Sequence, residues 1–178
     1  METKMVVARH GVLVCVAAAF AVVPARAKTL IDYFLPVPVV GSLSKTAWGA
    51  DKVGARDQDN GLEDKTSKSY SYWDGKIIRA ADGKYHMFAS RWEQSKGHWS
   101  GWPTSLAIHA TSDKLLGPYV DKGVAYTDNG SKGHNVTAFQ YNDGTYGLLV
   151  SQTRPASIYN SKSLDGPWTL KGVIAHDY

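Results

Sequence analysis

The chain has 178 residues, a formal net charge of +4 and a single cysteine. That charge is too small for a nucleic-acid surface, which needs a concentrated basic face, and one cysteine excludes an internal disulfide framework. Aromatic content is weighted toward six Trp and ten Tyr over four Phe; Trp and Tyr pair a flat apolar face with a polar handle, which suits a sugar ring as well as a β-sheet core.

In chain order, residues 1–27 read as a signal peptide. Lys4, Arg9 and His10 precede an apolar run from Gly11 to Val23, and Ala25-Arg26-Ala27 supplies the small-x-small cleavage pattern. The 13-residue run is shorter than the roughly 20 residues a spanning helix needs. Cys15 lies inside this run, so cleavage leaves a mature chain without cysteine and with a formal charge of about +2. The expected location is secreted or periplasmic, with no membrane association after cleavage.

Residues 28–69 form a lead segment. Within it Asp57 to Asp64 is acidic and loop-like. Its ligand spacing is incomplete against the twelve-residue calcium loop, so it reads as a solvated turn.

From residue 70 onward, short strand-like runs alternate with Asp-Gly and Gly-Pro punctuation. Ile77–Ala80 and Tyr85–Ala89 flank Asp82-Gly83, a tight turn in which Asp-Gly would supply positive φ angles. Leu106–Ala110 and Val120–Ala125 follow on either side of Gly117-Pro118. The order then recurs: Ala138–Tyr141, Asp143-Gly144, Tyr146–Val150, Ser157–Tyr159, Gly166-Pro167, Leu170–Ile174. Asp82-Gly83-x-Tyr85 matches Asp143-Gly144-x-Tyr146 at an offset of 61, and Gly117-Pro118 matches Gly166-Pro167 at 49. The difference is a 12-residue insertion around Trp92 to Pro103. The insertion carries Trp92, His98, Trp99 and Trp102, an aromatic loop that would either stack on sugar or pack on a neighbouring sheet; Trp99 leans to the first and Trp102 to the second.

A repeated four-stranded antiparallel unit is the signature of propeller blades, which pack around a central channel. The fold class expected is all-β: a β-propeller, represented by two four-stranded antiparallel blades over residues 70–178. Two blades do not close a ring, so the chain reads as an N-terminal piece of a longer protein and is expected to be inactive by itself. A complete two-sheet sandwich is the competing architecture.

Trp73-Asp74-Gly75-Lys76-Ile77-Ile78 with the return run Tyr85-His86-Met87-Phe88-Ala89-Ser90 resembles the opening blade of glycoside hydrolase family 43 and its relatives. Ser161-Lys162-Ser163-Leu164-Asp165-Gly166-Pro167-Trp168 is similar to that family's blade ending. The resemblance covers about residues 70 to 178; the stretch from Trp48 to Asp64 departs from the family. It implies a five-bladed propeller acting on oligo- or polysaccharides without a cofactor. It also implies an Asp base in the first blade, with the Glu acid and a further Asp in later blades. Asp74 falls on the base position.

Glycoside hydrolysis needs two carboxyl groups across the scissile bond, and only Asp74 is placed by this chain. Aligned on Asp-Gly, Asp74 meets Asn135 of the second unit, a carboxylate in one and an amide in the other. The alternative for Asp74 is a turn cap. Candidate substrate contacts are Trp73, Arg91, Trp92, Trp99, His134, Asn135 and Arg154. Arg91 and Arg154 end equivalent strands and would grip an acidic sugar or form a salt bridge. His134 would touch sugar or serve structurally, and His86 and His109 read as packed mid-strand residues. No phosphate loop, zinc-ligand spacing or nucleophilic triad stands out, so no metal ligand is assigned. A sucrase- or fructosidase-type retaining enzyme, a propeller polysaccharide lyase and a non-catalytic glycan-binding propeller remain as alternatives.

Overall fold

The computed structural model describes residues 38–45, 52, 54, 57, 59–62, 69–151 and 156–174. The signal-peptide and cleavage-site residues 1–27 lie outside these residues, as does Arg154.

Alternating side chains and glycine-bearing turns produce eight strands. They are β1 (Tyr70–Arg79), β2 (Tyr85–Glu93), β3 (Leu106–Ser112), β4 (Val120–Val124), β5 (His134–Gln140), β6 (Tyr146–Ser151), β7 (Ala156–Ser161) and β8 (Thr169–Ile174). They form two four-stranded sheets of order β1-β2-β3-β4 and β5-β6-β7-β8, with every neighbouring pair antiparallel. The architecture is thus all-β, with each sheet in the meander order of a propeller blade.

The two repeats agree down to single hydrogen bonds. In the first turn, Ala80 N–H bonds Lys84 O at 2.8 Å, and in the second Tyr141 N–H bonds Thr145 O at 2.8 Å. Only the glycines take positive φ here, +88° at Gly83 and +85° at Gly144. The aspartates act differently from the two-residue turn expected: Asp82 accepts Lys84 N–H at 3.0 Å, and Asp143 accepts Thr145 N–H at 2.9 Å. The side chain thereby mimics a backbone turn. Between the third and fourth strands, Ser112 Oγ accepts Lys114 N–H and Ser161 Oγ accepts Ser163 N–H, both at 3.1 Å.

The first sheet is covered on both faces, which explains its near-continuous apolar central strands. Phe88 and Ala107 face the second sheet and join Val136, Ala138, Leu148, Val150, Tyr159, Leu164 and Trp168 in one core. The side chains of opposite parity, Ala89, Ile108 and Ala110, form a second cluster with Tyr119 and Leu62. Leu62 belongs to the acidic stretch expected as a solvated turn. Instead it is buried, and Gly61 is tied to the first sheet by bonds from its N–H to Leu116 O and to its carbonyl from Tyr119 N–H. Asp57 is equally occupied, accepting the backbone N–H groups of Val40, Gly41 and Asp59.

Strands β1 and β5 lie against each other, whereas β4 and β8 leave Val120, Val124, Leu170 and Val173 exposed. The first strand of each sheet is therefore the inner one and the fourth the outer one.

A buried imidazole pair sits where the sheets meet: His86 Nδ1 is 2.9 Å from His109 Nε2, with Phe88 stacked on His109. Burial lowers the His109 pKa from 6.5 to about 4. His86 adds to the lowering, Asp165 and Asp121 oppose it, and Lys122 favours it. The unfolded chain then binds a proton that the folded chain refuses between these values. Stability is expected to be full above about pH 6.5, to decline as pH falls to about 4, and to level off below. Denaturant midpoints across this window would check it, and His109→Gln should flatten the slope.

Candidate active site

The site is built on the inner strands. Asp74 was expected just before a strand, yet β1 runs from Tyr70 and Asp74 lies within it. The β1–β2 ladder pairs Trp73 with Ser90 and resumes at Lys76 with Phe88, leaving a bulge at Asp74-Gly75. Asp74 takes φ +55° and Gly75 +146°. Asp tolerates the left-handed region better than most residues, and Gly adopts such angles freely. Bulges re-aim side chains out of the ladder.

The second sheet repeats this device. Its β5–β6 register shifts between His134 and Val136, and Asn135 takes φ +50°. Asp74 and Asn135 thus hold the same backbone position on two adjacent inner strands, as the Asp-Gly alignment had it, and both are exposed. Among the described residues no group donates a hydrogen bond to the Asp74 carboxylate.

Asp74 lines an open pocket of about 410 Å³ with Leu62, Tyr72, Trp73, Met87 and Ala89. Trp73 is 51% exposed, and His98 packs against it with ring centroids 5.0 Å apart. Trp99, 87% exposed, also meets His98, with ring centroids 5.4 Å apart. His98 therefore contacts both the Trp73 ring at the Asp74 pocket and the exposed Trp99 ring.

The remaining candidates are placed differently. Trp92 is 5% exposed, under the helical turn α1 (Gly97–Gly101) that forms the insertion. A Cβ on Gly101 would stand 1.9 Å from Trp92 Cδ1, so the helix backbone rests on the indole itself. Trp92 has no open face for a sugar; it supports the loop. Trp102 packs, as expected, but on a sheet that is present: it stacks on His134 at 4.1 Å. His134 is buried beneath it. His134 Nδ1 lies 2.9 Å from Trp102 O, and 3.3 Å from Ser105 Oγ. That geometry leaves Nε2 as the acceptor nitrogen, and Nε2 finds no partner among the described residues.

Arg91 is paired within its own sheet. Its guanidinium donates to Asp121 Oδ2 at 2.7 Å and lies 4.2 Å over the Tyr70 ring. Tyr72 OH donates to the same oxygen at 3.0 Å, and Asp121 Oδ1 accepts Gly123 N–H at 2.7 Å. With its carboxylate already bound, Arg91 holds β1, β2 and β4 together rather than reaching for an acidic sugar. Hydrogen bonds to charged groups contribute about 1.5–3 kcal/mol. Arg91→Ala and Asp121→Ala are expected to lower unfolding free energy by about that much each, and a double-mutant cycle should show them strongly coupled. Sequence reasoning had no signal for Asp121, which is 30 residues from Arg91. Nor did it single out Tyr72, which lies in the part of β1 before the bulge.

Among the described residues no helix is long and apolar enough to cross a membrane. No protein-family model and no curated protein matches the chain. Among solved structures, a family 117 glycoside hydrolase from the marine bacterium Zobellia galactanivorans is similar at 20% identity and TM-score 0.49, over 65% of this chain and 42% of that one. A candidate glycosidase from Bacteroides thetaiotaomicron is similar at 13% identity and TM-score 0.44, over 65% of this chain and 36% of that one. The chain spans less than half the length of either.

Proposed function

We propose that the two sheets are the opening blades of a five-bladed β-propeller glycoside hydrolase of the family-43-like type, exported behind a cleaved signal peptide, with Asp74 as its general base. The observation that carries this reading is the Asp74 bulge: an exposed carboxylate, turned out of the inner strand, in a pocket it shares with a half-exposed Trp. Its counterpart Asn135 puts an amide at the same position of the neighbouring strand. A carboxylate removes a proton where an amide only exchanges hydrogen bonds, so one site activates water and the other orients a hydroxyl.

In an inverting reaction the base and the acid stand about 6.5–9.5 Å apart, with water between base and anomeric carbon. Asp74 would take the proton of that water as it attacks. The acid that protonates the departing oxygen would come from a further blade. Trp73 and Trp99 would stack on the apolar faces of successive sugar rings.

The reading is tested by incubating the full-length protein that carries the later blades with oligo- and polysaccharides and following new reducing ends together with ultraviolet absorbance. Reducing ends without new absorbance support hydrolysis. Absorbing, unsaturated products would assign a lyase, and retention of sugar without products would assign a binding module.

A further inference from the structure

The imidazole pair between the sheets has a third partner that sequence spacing does not reveal. Asp165, in the loop between β7 and β8, places Oδ1 3.9 Å from His86 Nδ1. One donor atom from each of His86, His109 and Asp165 falls within 4.8 Å of the other two. His86 comes from β2 and His109 from β3 of the first sheet, while Asp165 comes from the second sheet.

We propose that His86, His109 and Asp165 bind a divalent transition-metal ion of the zinc type, clamping the first sheet to the second. Two imidazoles and a carboxylate are the donor set that zinc and its neighbours accept, whereas calcium and magnesium prefer oxygen alone. Donors about 2.0–2.1 Å from a tetrahedral zinc stand roughly 3.3 Å from one another. The His86–His109 separation is 2.9 Å, the His86–Asp165 separation is 3.9 Å and the third pair lies within 4.8 Å, so Asp165 would have to move closer. The adjustment falls mainly on Asp165, whose side chain is 72% exposed and moves at little cost. The same exposure provides an entry route and leaves a fourth position for water.

The two histidines are already held in place. Both rings are buried, their planes lie within 15° of each other, and Phe88 stacks on His109 at 4.9 Å. Metal binds neutral imidazole. Without metal, one ring donates a hydrogen bond to the other.

The site is separate from Asp74 and does not depend on the hydrolase reading. His86 pairs with Ile78, toward the Asp82-Gly83 turn, whereas the Asp74 bulge opens opposite Ala89. Three residues of strand separate them, about 10 Å. The ion would therefore stabilise the arrangement of the sheets and take no part in proton transfer at Asp74.

The test is calorimetric titration of chelator-stripped protein with Zn²⁺, alongside Co²⁺ absorption spectra and thermal melts. Expected are one saturable equivalent, the visible bands of tetrahedral Co²⁺, and a rise in Tm of roughly 5–10 °C at 100-fold excess over Kd. Loss even of a group that only supports a ligand costs about 10–100-fold in metal affinity, so Asp165→Asn should weaken binding at least that much. Its Tm without metal should match wild type, since the side chain is exposed. His109→Gln should abolish binding; if that variant fails to fold, Asp165→Asn alone decides. No saturable binding, or binding that Asp165→Asn leaves unchanged, overturns the proposal.

Discussion

Replacing Asp74 with Asn in the full-length protein that carries the later blades is expected to lower hydrolysis by about 10²–10⁴-fold, the range contributed by a positioned general base, while sugar binding is retained. Asn is the informative substitution because the backbone at this position is left-handed, with φ +55°. Asn accepts that conformation readily, and Asn135 already adopts it at the equivalent point of the second sheet. Alanine would add a conformational cost of roughly 1–2 kcal/mol and confuse catalysis with folding. The amide keeps the shape and a hydrogen-bonding capacity but cannot take a proton from water. Initial rates should therefore collapse in kcat, and titration with the uncleaved glycan should give an unaltered Kd. Hydrolysis that survives the change would remove Asp74 from the base role.

Phe88→Ala is expected to cost about 3–5 kcal/mol of stability, the usual range for truncating a buried aromatic ring. Phe88 is fully buried, and its ring meets Trp168 edge-on at 5.4 Å and His109 face-on at 4.9 Å. It is the largest side chain the first sheet inserts into the core of the second. Its removal empties the joint between the sheets, and surrounding strands can collapse into the space only by breaking register. Against a typical total stability of about 5–15 kcal/mol, that loss is large. Urea unfolding followed by Trp fluorescence should show a much lower midpoint and earlier exposure of Trp168. Leu115→Ala serves as the comparison: Leu115 is largely exposed, and such changes usually stay within about 0.5 kcal/mol. A Phe88→Ala loss below about 1 kcal/mol would mean that the sheets are held together elsewhere.

The repeat was legible because its signals are local. A glycine that must take positive φ, an Asp that accepts an N–H two residues on, and a serine doing the same each act within four residues. Copies at offsets of 61 and 49 therefore announce two similar sheets. The match of Asp74 to Asn135 was legible for the same reason, since both follow from strand length before a shared turn. Strand β1 was harder to delimit. Its bulge interrupts the alternation on which a strand is recognised, so the paired residues Tyr70–Trp73 did not read as part of it.

The candidate site was only partly legible. Asp74 was named from the family resemblance and from its contrast with Asn135 in the repeat, and Trp99 from its place in an inserted loop. That Trp92 lies beneath a helical turn while Trp99 stands in solvent depends on how α1 folds back, which residue type alone does not decide. Asp121, which occupies Arg91, approaches from a strand 30 residues away.

By itself, then, the amino-acid order determined the strands, their turns, the twofold repetition and the carboxylate that differs between the copies. Each of these follows from backbone geometry acting over a few residues. Only the tertiary structure decided which aromatic faces remain open, which charges are already paired, and that His86, His109 and Asp165 converge. Those outcomes depend on two sheets closing over each other, and donor atoms 23 and 79 positions apart share a site only once that closure has occurred.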